Sequence, residues 1–425
     1  MTTILLLGTC DSKLAELLFV KHQILTTTAT KEVLLLDLGR TPTTHPEINI
    51  TQHEILQLAS TNNNVDSNSS KVEVSTLPRQ EYITYLLDHA TSAVTHLHQT
   101  KPLHAVLGIG GSCGTALATG VMRNVFPVGF PKLMVSTMAS GDVKPYVEET
   151  DITMMYSVVD VAGTNRILRR ILANVAGAVG GMAELSLSLS NATSGEGDDG
   201  KKRIGITMFG VTTPCVDRIR EHLEQTQNYE VYVFHATGAG GKAMERLVRE
   251  GQLDAVLDLT TSEIADELVG GVLSAGPGRL SAAAGAGIPQ VISLGACDMV
   301  NFGTRDSVPE RFAGGDRKLY QHNPTVTIMR TTPEECRDIA RFMAKKLRDA
   351  SRPDRIRLVF PTGSISMLDV PGQAFHDPEA DAVLFDTIEQ ELASTSIDIC
   401  RDPRQINDPN FAVALADSLV ELMQS

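Results

Sequence analysis

Paired cysteines are missing from this sequence: Cys10, Cys113, Cys215, Cys297, Cys336 and Cys400 are scattered, with no CxxC pair among them. That spacing offers neither a zinc site nor a disulfide framework and suits reduced thiols in the cytosol. Basic charge is in short supply as well. The 37 lysines and arginines stand against 51 acidic residues, for a formal net charge of −14. Such a field repels nucleic acid in general. The densest basic group, Arg166, Arg169 and Arg170, falls on a predicted helix and reads as a solvated face. No apolar stretch approaches the ~18–20 residues a membrane helix needs. The run Thr2–Leu7 stops at Gly8, so it reads as a buried strand and not as a secretory segment. These absences predict a soluble, cytoplasmic protein with neither membrane nor general nucleic-acid partners.

What is present is a repeating α/β grammar. At 425 residues the chain is too long for one typical core and suits two domains. Strands are predicted near Leu5–Leu7, Val33–Leu38, His104–Ile109, Lys132–Thr137 and Ile152–Val159, followed by a long helix over Thr164–Leu189. The second half restarts with strands at Ile204–Phe209, Val231–Phe234, Ala255–Leu259, Gln290–Leu294, Thr325–Met329 and Arg357–Phe360. Strands alternating with helices imply parallel sheets covered on both faces. The fold expected is therefore α/β, with two Rossmann-like subdomains over residues 1–190 and 203–425. The polar stretch 191–202 is the linker between them, and Asn62–Lys71 reads as a surface loop. A faint internal repeat links the halves, each opening on a strand that ends in glycine and threonine.

Glycine-rich turns carry the chemical signal. Gly108-Ile109-Gly110-Gly111-Ser112-Cys113-Gly114-Thr115 joins a predicted strand to a helix. There a glycine lets the backbone approach a ligand, and helix N-terminal amides attract an anion. The turn lacks the third glycine of a dinucleotide fingerprint and the Gly-Lys-Ser/Thr of a Walker A loop, so it specifies a phosphate or carboxylate and no more. Two further loops share its sheet edge: Gly8-Thr9-Cys10-Asp11-Ser12-Lys13, and Ser136–Asp142 with Thr137, Ser140 and Gly141. Asp142 and Asp160 are carboxylates that could hold Mg²⁺ through water. In the long helix, Ala173, Gly177 and Gly181 make one flat face, open to burial or to a dimer contact.

The second half offers its own polar strand ends. His235 through Lys242, Asp258 through Glu263, Gly276-Pro277-Gly278-Arg279 and Cys297 through Asn301 place a histidine, acids and an arginine after apolar runs. His235, Asp258 and Asp298 are the candidates for acid–base chemistry on a small metabolite. His322 and His376 lack metal-ligand spacing.

Taken in order, these motifs resemble the family of ATP-binding proteins typified by the N-terminal domain of the tomato mosaic virus resistance protein, with bacterial, fungal and plant members. The resemblance runs nearly end to end. It also covers Ser157–Gly163, Asp298-Met299-Val300-Asn301-Phe302, His322-Asn323-Pro324 and Asp369-Val370-Pro371-Gly372. It implies two Rossmann-like subdomains, ATP (with or without Mg²⁺) bound in the first, and a homodimer. The nucleotide contacts then fall on Gly8, Thr9, Asp11, Lys13, Gly110, Gly111, Ser112, Gly114, Thr115, Thr137, Ser140 and Gly141. Cys113 departs from the usual loop, where relatives often carry glycine. The leading expectation is an ATP-binding protein whose output is a change of conformation or partner. The alternative is an enzyme for a small phosphorylated or carboxylated metabolite, sited in the second subdomain or between the two. An NAD-dependent oxidoreductase is disfavoured by the displaced glycine.

Overall fold

The computed structural model describes residues 2–62, 73–196 and 200–425. The chain divides into two compact units, Met1–Asp198 and Asp199–Ser425. In the first, β1 (Thr3–Gly8), β2 (Glu32–Asp37), β3 (Ala105–Gly110), β4 (Lys132–Ser136) and β5 (Thr153–Tyr156) form one parallel sheet in the order β2-β1-β3-β4-β5. Successive side chains of a strand point to opposite faces, and β1 shows the consequence. Ile4 and Leu6 join a core under the helices Cys10–Thr27 and Arg166–Glu196, with Leu17, Val20, Leu172 and Val179. Leu5 and Leu7 join another under Arg79–Thr100 and Ser112–Val125, with Leu86, Val94, Leu117 and Val121. Both faces are covered, so the strand reads as an unbroken apolar run.

The second unit repeats the plan. β6 (Lys202–Met208), β7 (Tyr229–His235), β8 (Ala255–Thr260), β9 (Gln290–Gly295), β13 (Ile356–Pro361) and β14 (Asp398–Asp402) form a parallel sheet in the order β14-β13-β9-β8-β6-β7. Read from its own first strand, this is the 2-1-3-4-5 order of the first unit with one strand added, so the faint repeat in sequence is a repeat of topology. The remaining strands, β10 (Met299–Phe302), β11 (Leu319–Asn323) and β12 (Val326–Arg330), make a separate antiparallel sheet in the order β10-β12-β11. The strand expected at Thr325–Met329 thus lies outside the parallel series. It returns directly from β11, in a hairpin too short for a parallel crossover.

Further expectations change. The helix predicted to end at Leu189 continues to Glu196, so residues 191–196 of the expected linker are helical, and 197–199 lie outside the described residues. Asn62 ends the helix Gln52–Asn62, while 63–71 of the expected loop lie outside the described residues. The segment Arg166–Ser190 is long and apolar enough to cross a membrane by length and composition, contrary to the expectation that no such stretch exists. Its residues 171–183 carry no charge, and its inward face, with Leu168, Leu172, Val175 and Ala183, is buried in the unit's core. Gly177 and Gly181 lie on the exposed side of that helix, which rules out burial within the unit as the reason for the flat face. Gly180 is the close-packed glycine: a Cβ there would sit 2.4 Å from Thr28 Cγ2.

Candidate functional site

In an open parallel sheet, ligands bind beyond the carboxyl ends of the strands, where the strand order reverses. In the first unit that point falls between β1 and β3. A cleft of about 370 Å³ opens there, lined by Thr9, Asp11, Lys13, Arg40, Arg79, Tyr82 and the turn Gly111–Gly114.

The floor is the N-terminus of the helix Ser112–Val125. Its first intrahelical bond runs from Thr115 N to Gly111 O at 2.8 Å, and no side chain caps it. The amides of Ser112, Cys113 and Gly114 precede that bond, at the positive end of the helix dipole. Gly110 is required by packing: a Cβ would stand 3.0 Å from Gly114 Cα. Thr115 lies beneath the turn and not in the cleft. It is buried, with its hydroxyl donating to Gly111 O at 2.7 Å and paired with Ser136 Oγ at 2.6 Å.

The β1 loop forms one wall. Thr9 Oγ1 and Ser12 Oγ are 2.9 Å apart, and Lys13 breaks the helical backbone at φ −131°, ψ 18°. Gly8 serves packing instead of a ligand, since a Cβ would meet Leu17 Cδ2 at 2.5 Å. Asp11 organises the neighbouring loop: its Oδ2 accepts the amides of Arg40 and Thr41 at 2.9 and 3.0 Å. Asp37, at the end of β2, completes that clamp by accepting the amides of Cys10 at 2.9 Å and Gly39 at 2.8 Å. Burial raises Asp37 above the ordinary carboxylate range. The two carboxylates together fix the chain direction that brings Arg40 to the cleft.

Opposite stands Arg79, donating from Nε to Cys113 Sγ at 2.8 Å and from Nη2 to Ser112 Oγ at 3.3 Å. Tyr82 is buried, donates to Leu38 O at 2.9 Å, and carries Arg40 near its ring. Lys13, Arg40 and Arg79 against the lone cleft carboxylate of Asp11 make the site electropositive. Thr137, Ser140 and Gly141 are not part of its lining: they flank the turn from β4, with Thr137 Oγ1 3.9 Å from where a Gly111 Cβ would be. Asp142 is engaged locally, accepting the Lys144 amide at 3.0 Å.

Sequence reasoning missed Arg40, Arg79 and Tyr82. Arg40 follows the carboxyl end of a predicted strand, Val33–Leu38, and the strand order would have placed it. Arg79 and Tyr82 have no local signal, because only the fold carries their helix to the turn.

The second unit does not assemble His235, Asp258 and Asp298. His235 is exposed and stacks on Phe209 with ring centroids 5.6 Å apart. Asp258 is buried and occupied, with Arg279 Nη2 at 2.5 Å and Gln290 Nε2 at 2.9 Å. Arg279 also binds Glu263 at 2.9 Å and Glu245 at 3.3 Å. This gives the Gly276–Arg279 motif a structural role, pinning three buried acids. Asp298 belongs to another group, with Ser366 Oγ at 2.7 Å and the Arg330 guanidinium; burial pushes it up to about 6. Nor is the loop Gly238–Gly241 an open anion site. Glu263 Oε1 already accepts the amides of Gly238 at 2.7 Å and Gly241 at 3.0 Å. At the second unit's own point of reversal, Thr212 and Thr260 pair with each other at 2.8 Å. Among the described residues no group of three or more His, Cys, Asp or Glu could hold a metal ion.

The chain is 41% identical over 421 residues to a UPF0261 protein of Clostridium tetani, covering 99% of each. A UPF0261 protein of Rhizobium meliloti is 50% identical over 310 residues, 73% of this chain and 74% of that relative. The ToMV resistance protein Tm-1(GCR237) of Solanum lycopersicum is 43% identical over 323 residues, 75% of this chain but only 42% of the tomato protein. Its ToMV susceptible counterpart, tm-1(GCR26), matches over the same length at the same identity, so the likeness does not separate resistance from susceptibility. With the N-terminal domain model of the uncharacterised protein family UPF0261 matching residues 2–188 and its C-terminal domain model matching residues 201–423, the chain belongs to that family.

Proposed function

We propose that the first unit binds a nucleotide, ATP, by its polyphosphate, and that binding is read out through conformation or a partner. One observation carries this reading: the uncapped amides of Ser112–Gly114 share a single cleft with Lys13, Arg40 and Arg79. Backbone amides and guanidinium groups are the donors that phosphate oxygens accept best. The volume, about 370 Å³, lies within the range of small-molecule sites. Asp11 has one carboxylate oxygen left by its amide bonds, and with water it would serve a Mg²⁺ carried in on the phosphates. The metal would neutralise phosphate charge there. Arg79 would exchange part of its hold on Ser112 and Cys113 for the ligand, coupling occupancy to the helix that bears it. The family resemblance supports a homodimer as the working form, and the scattered cysteines suit the cytoplasm.

The test is thermal unfolding of the full chain with Mg²⁺ and ATP, pyrophosphate or adenosine. A ligand that binds only the folded state at a hundred times its Kd stabilises by about 2.7 kcal/mol. ATP and pyrophosphate should raise the melting temperature and adenosine should not, and Arg79→Ala should reduce the ATP shift. Absence of any shift at millimolar ATP overturns the reading.

A further inference from the structure

We propose that two copies of this chain pair through the exposed face of the helix Arg166–Glu196, laid antiparallel about a two-fold axis near Ala178. This rests on the homodimer proposed above and gives it a place on the molecule. The face carries Ile167, Ile171, Asn174, Ala178, Gly181, Leu185 and Leu189, spaced by four, three, four, three, four and four residues. That alternation is the seam period of paired helices, and at 1.5 Å per residue it keeps one stripe turned to a neighbour for about 33 Å. Ile167, Leu185 and Leu189 are 54, 60 and 56% exposed. Gly177 and Gly181 are exposed too, and a Cβ built on either would meet nothing within 4 Å. Glycine inside a helix costs stability, and no packing within the unit asks for it at these two positions. A second helix crossing there does ask for it, because small residues let two backbones approach.

The two ends of the helix identify the occupant. Arg166, Arg169 and Arg170 crowd its N-terminus, with no acid between Asp160 and Glu184. A cation at that end opposes the helix dipole. Arg166 and Arg170 are exposed and form no ion pair among the described residues. Toward the other end the sign reverses: no lysine or arginine lies between Arg170 and Lys201, and Glu184 and Glu196 are acidic. The helix is therefore complementary to itself reversed. Antiparallel pairing centred on Ala178 sets Ile167 opposite Leu189 and Ile171 opposite Leu185 of the second copy, with the small residues together in the middle. It carries each arginine cluster to the carboxyl end of the facing helix, where Arg170 comes level with Ser186 and close to Glu184. A parallel pair would stack arginine on arginine. A membrane surface is the poorer match, because a helix lying in lipid presents bulky apolar side chains along its stripe, and the middle of this one is Asn174, Ala178 and Gly181.

Sedimentation of the full chain measures the pairing, and the native chain should run as a dimer. Gly181→Leu adds bulk to the stripe without charge and should raise the dissociation constant at least about tenfold by overpacking the contact. Its circular dichroism should be unchanged, since leucine favours a helix more than glycine does. Orientation is read by mixing Ile167→Cys chains with Leu189→Cys chains under mild oxidation and identifying the bridged peptides by mass spectrometry. The two introduced thiols should bridge in the mixture, and neither variant alone should bridge at its new position. A monomeric native chain overturns this pairing and the homodimer alike. A dimer that survives Gly181→Leu, or bridging between like variants, overturns the face or its orientation and leaves a homodimer standing. Flotation of the native chain with phosphatidylglycerol vesicles, strengthened by Gly181→Leu, would assign the stripe to lipid and overturns the proposal as well. Nucleotide binding by the first unit does not bear on the result.

Discussion

Gly241 and Glu263 are joined in the second unit: the glycine amide donates to Glu263 Oε1 at 3.0 Å, and a Cβ on Gly241 would come within 2.0 Å of Oε2. The glycine here makes room for an internal carboxylate, which takes the place an external anion would have. In the first unit the turn Gly111–Gly114 has no such occupant, and its helix N-terminus opens on a cleft with three cationic side chains. Two glycine-rich turns of similar appearance thus have opposite fates, decided by whether the fold delivers an acid to them.

Gly114 is the position at which to close that cleft without breaking the turn. A Cβ there meets Ile109 O at 3.7 Å and Thr9 Cγ2 at 3.8 Å, both ordinary contacts. Replacing a helical glycine by alanine gains up to about 1 kcal/mol. Gly114→Val is expected to keep the fold and weaken ATP at least about tenfold, measured by calorimetry. Unchanged affinity would remove the turn from the site. Gly110→Val is the poorer probe, because its Cβ strikes backbone.

Cys113 reports on occupancy. It lines the cleft and is partly exposed, as Cys400 is exposed elsewhere, while Cys10, Cys215, Cys297 and Cys336 are buried. Brief alkylation of the native chain is expected to label Cys113 and Cys400, with ATP protecting only Cys113. Mass spectrometry of the labelled peptides decides it. Equal protection of both, or of neither, counts against nucleotide in the cleft.

Arg279 is expected to be indispensable for stability and irrelevant to nucleotide binding. It is fully buried among Asp258, Glu263 and Glu245. Removing one partner of such a group leaves buried charge uncompensated and costs roughly 3–5 kcal/mol. Urea unfolding of Arg279→Leu should show a loss of that size. A loss under about 1 kcal/mol would mean that the acids relax or protonate freely.

Stability should fall as the medium becomes alkaline. Burial lifts Asp369 to about 8, Asp266 to about 7 and Asp298 to about 6. Their unfolded values lie near 4, so between those limits the folded chain holds protons that the unfolded chain has lost. This contribution is complete below about pH 4 and is lost as pH rises to about 8. Asp254 and Asp402 are lowered, Asp254 by Arg203 and Asp402 by Arg404, and act oppositely, losing their contribution only in acid. The urea midpoint of the second unit should drop from pH 6 to pH 8.5, less steeply in Asp369→Asn. A midpoint that rises over this range contradicts the assignment.

The alternation of apolar runs with amphipathic stretches was enough, read from the residues alone, to specify parallel sheets in two units, because strands covered on both faces must be continuously apolar and their crossovers must be helical. The turn Gly108–Thr115 was legible for a similar reason: it joins a strand to a helix through residues small enough to leave amides open. The order of the strands was not legible, and with it the positions of Arg40 and Arg79, which lie far from the turn in sequence and reach it only through the β2-β1-β3 arrangement. Nor could residue type separate the exposed His235 from the buried Asp258, which Arg279 and Gln290 already occupy, since the difference lies in which neighbours the fold brings to each. Local pattern follows from the period of the chain; charge and access at a site follow from neighbours that only tertiary packing supplies.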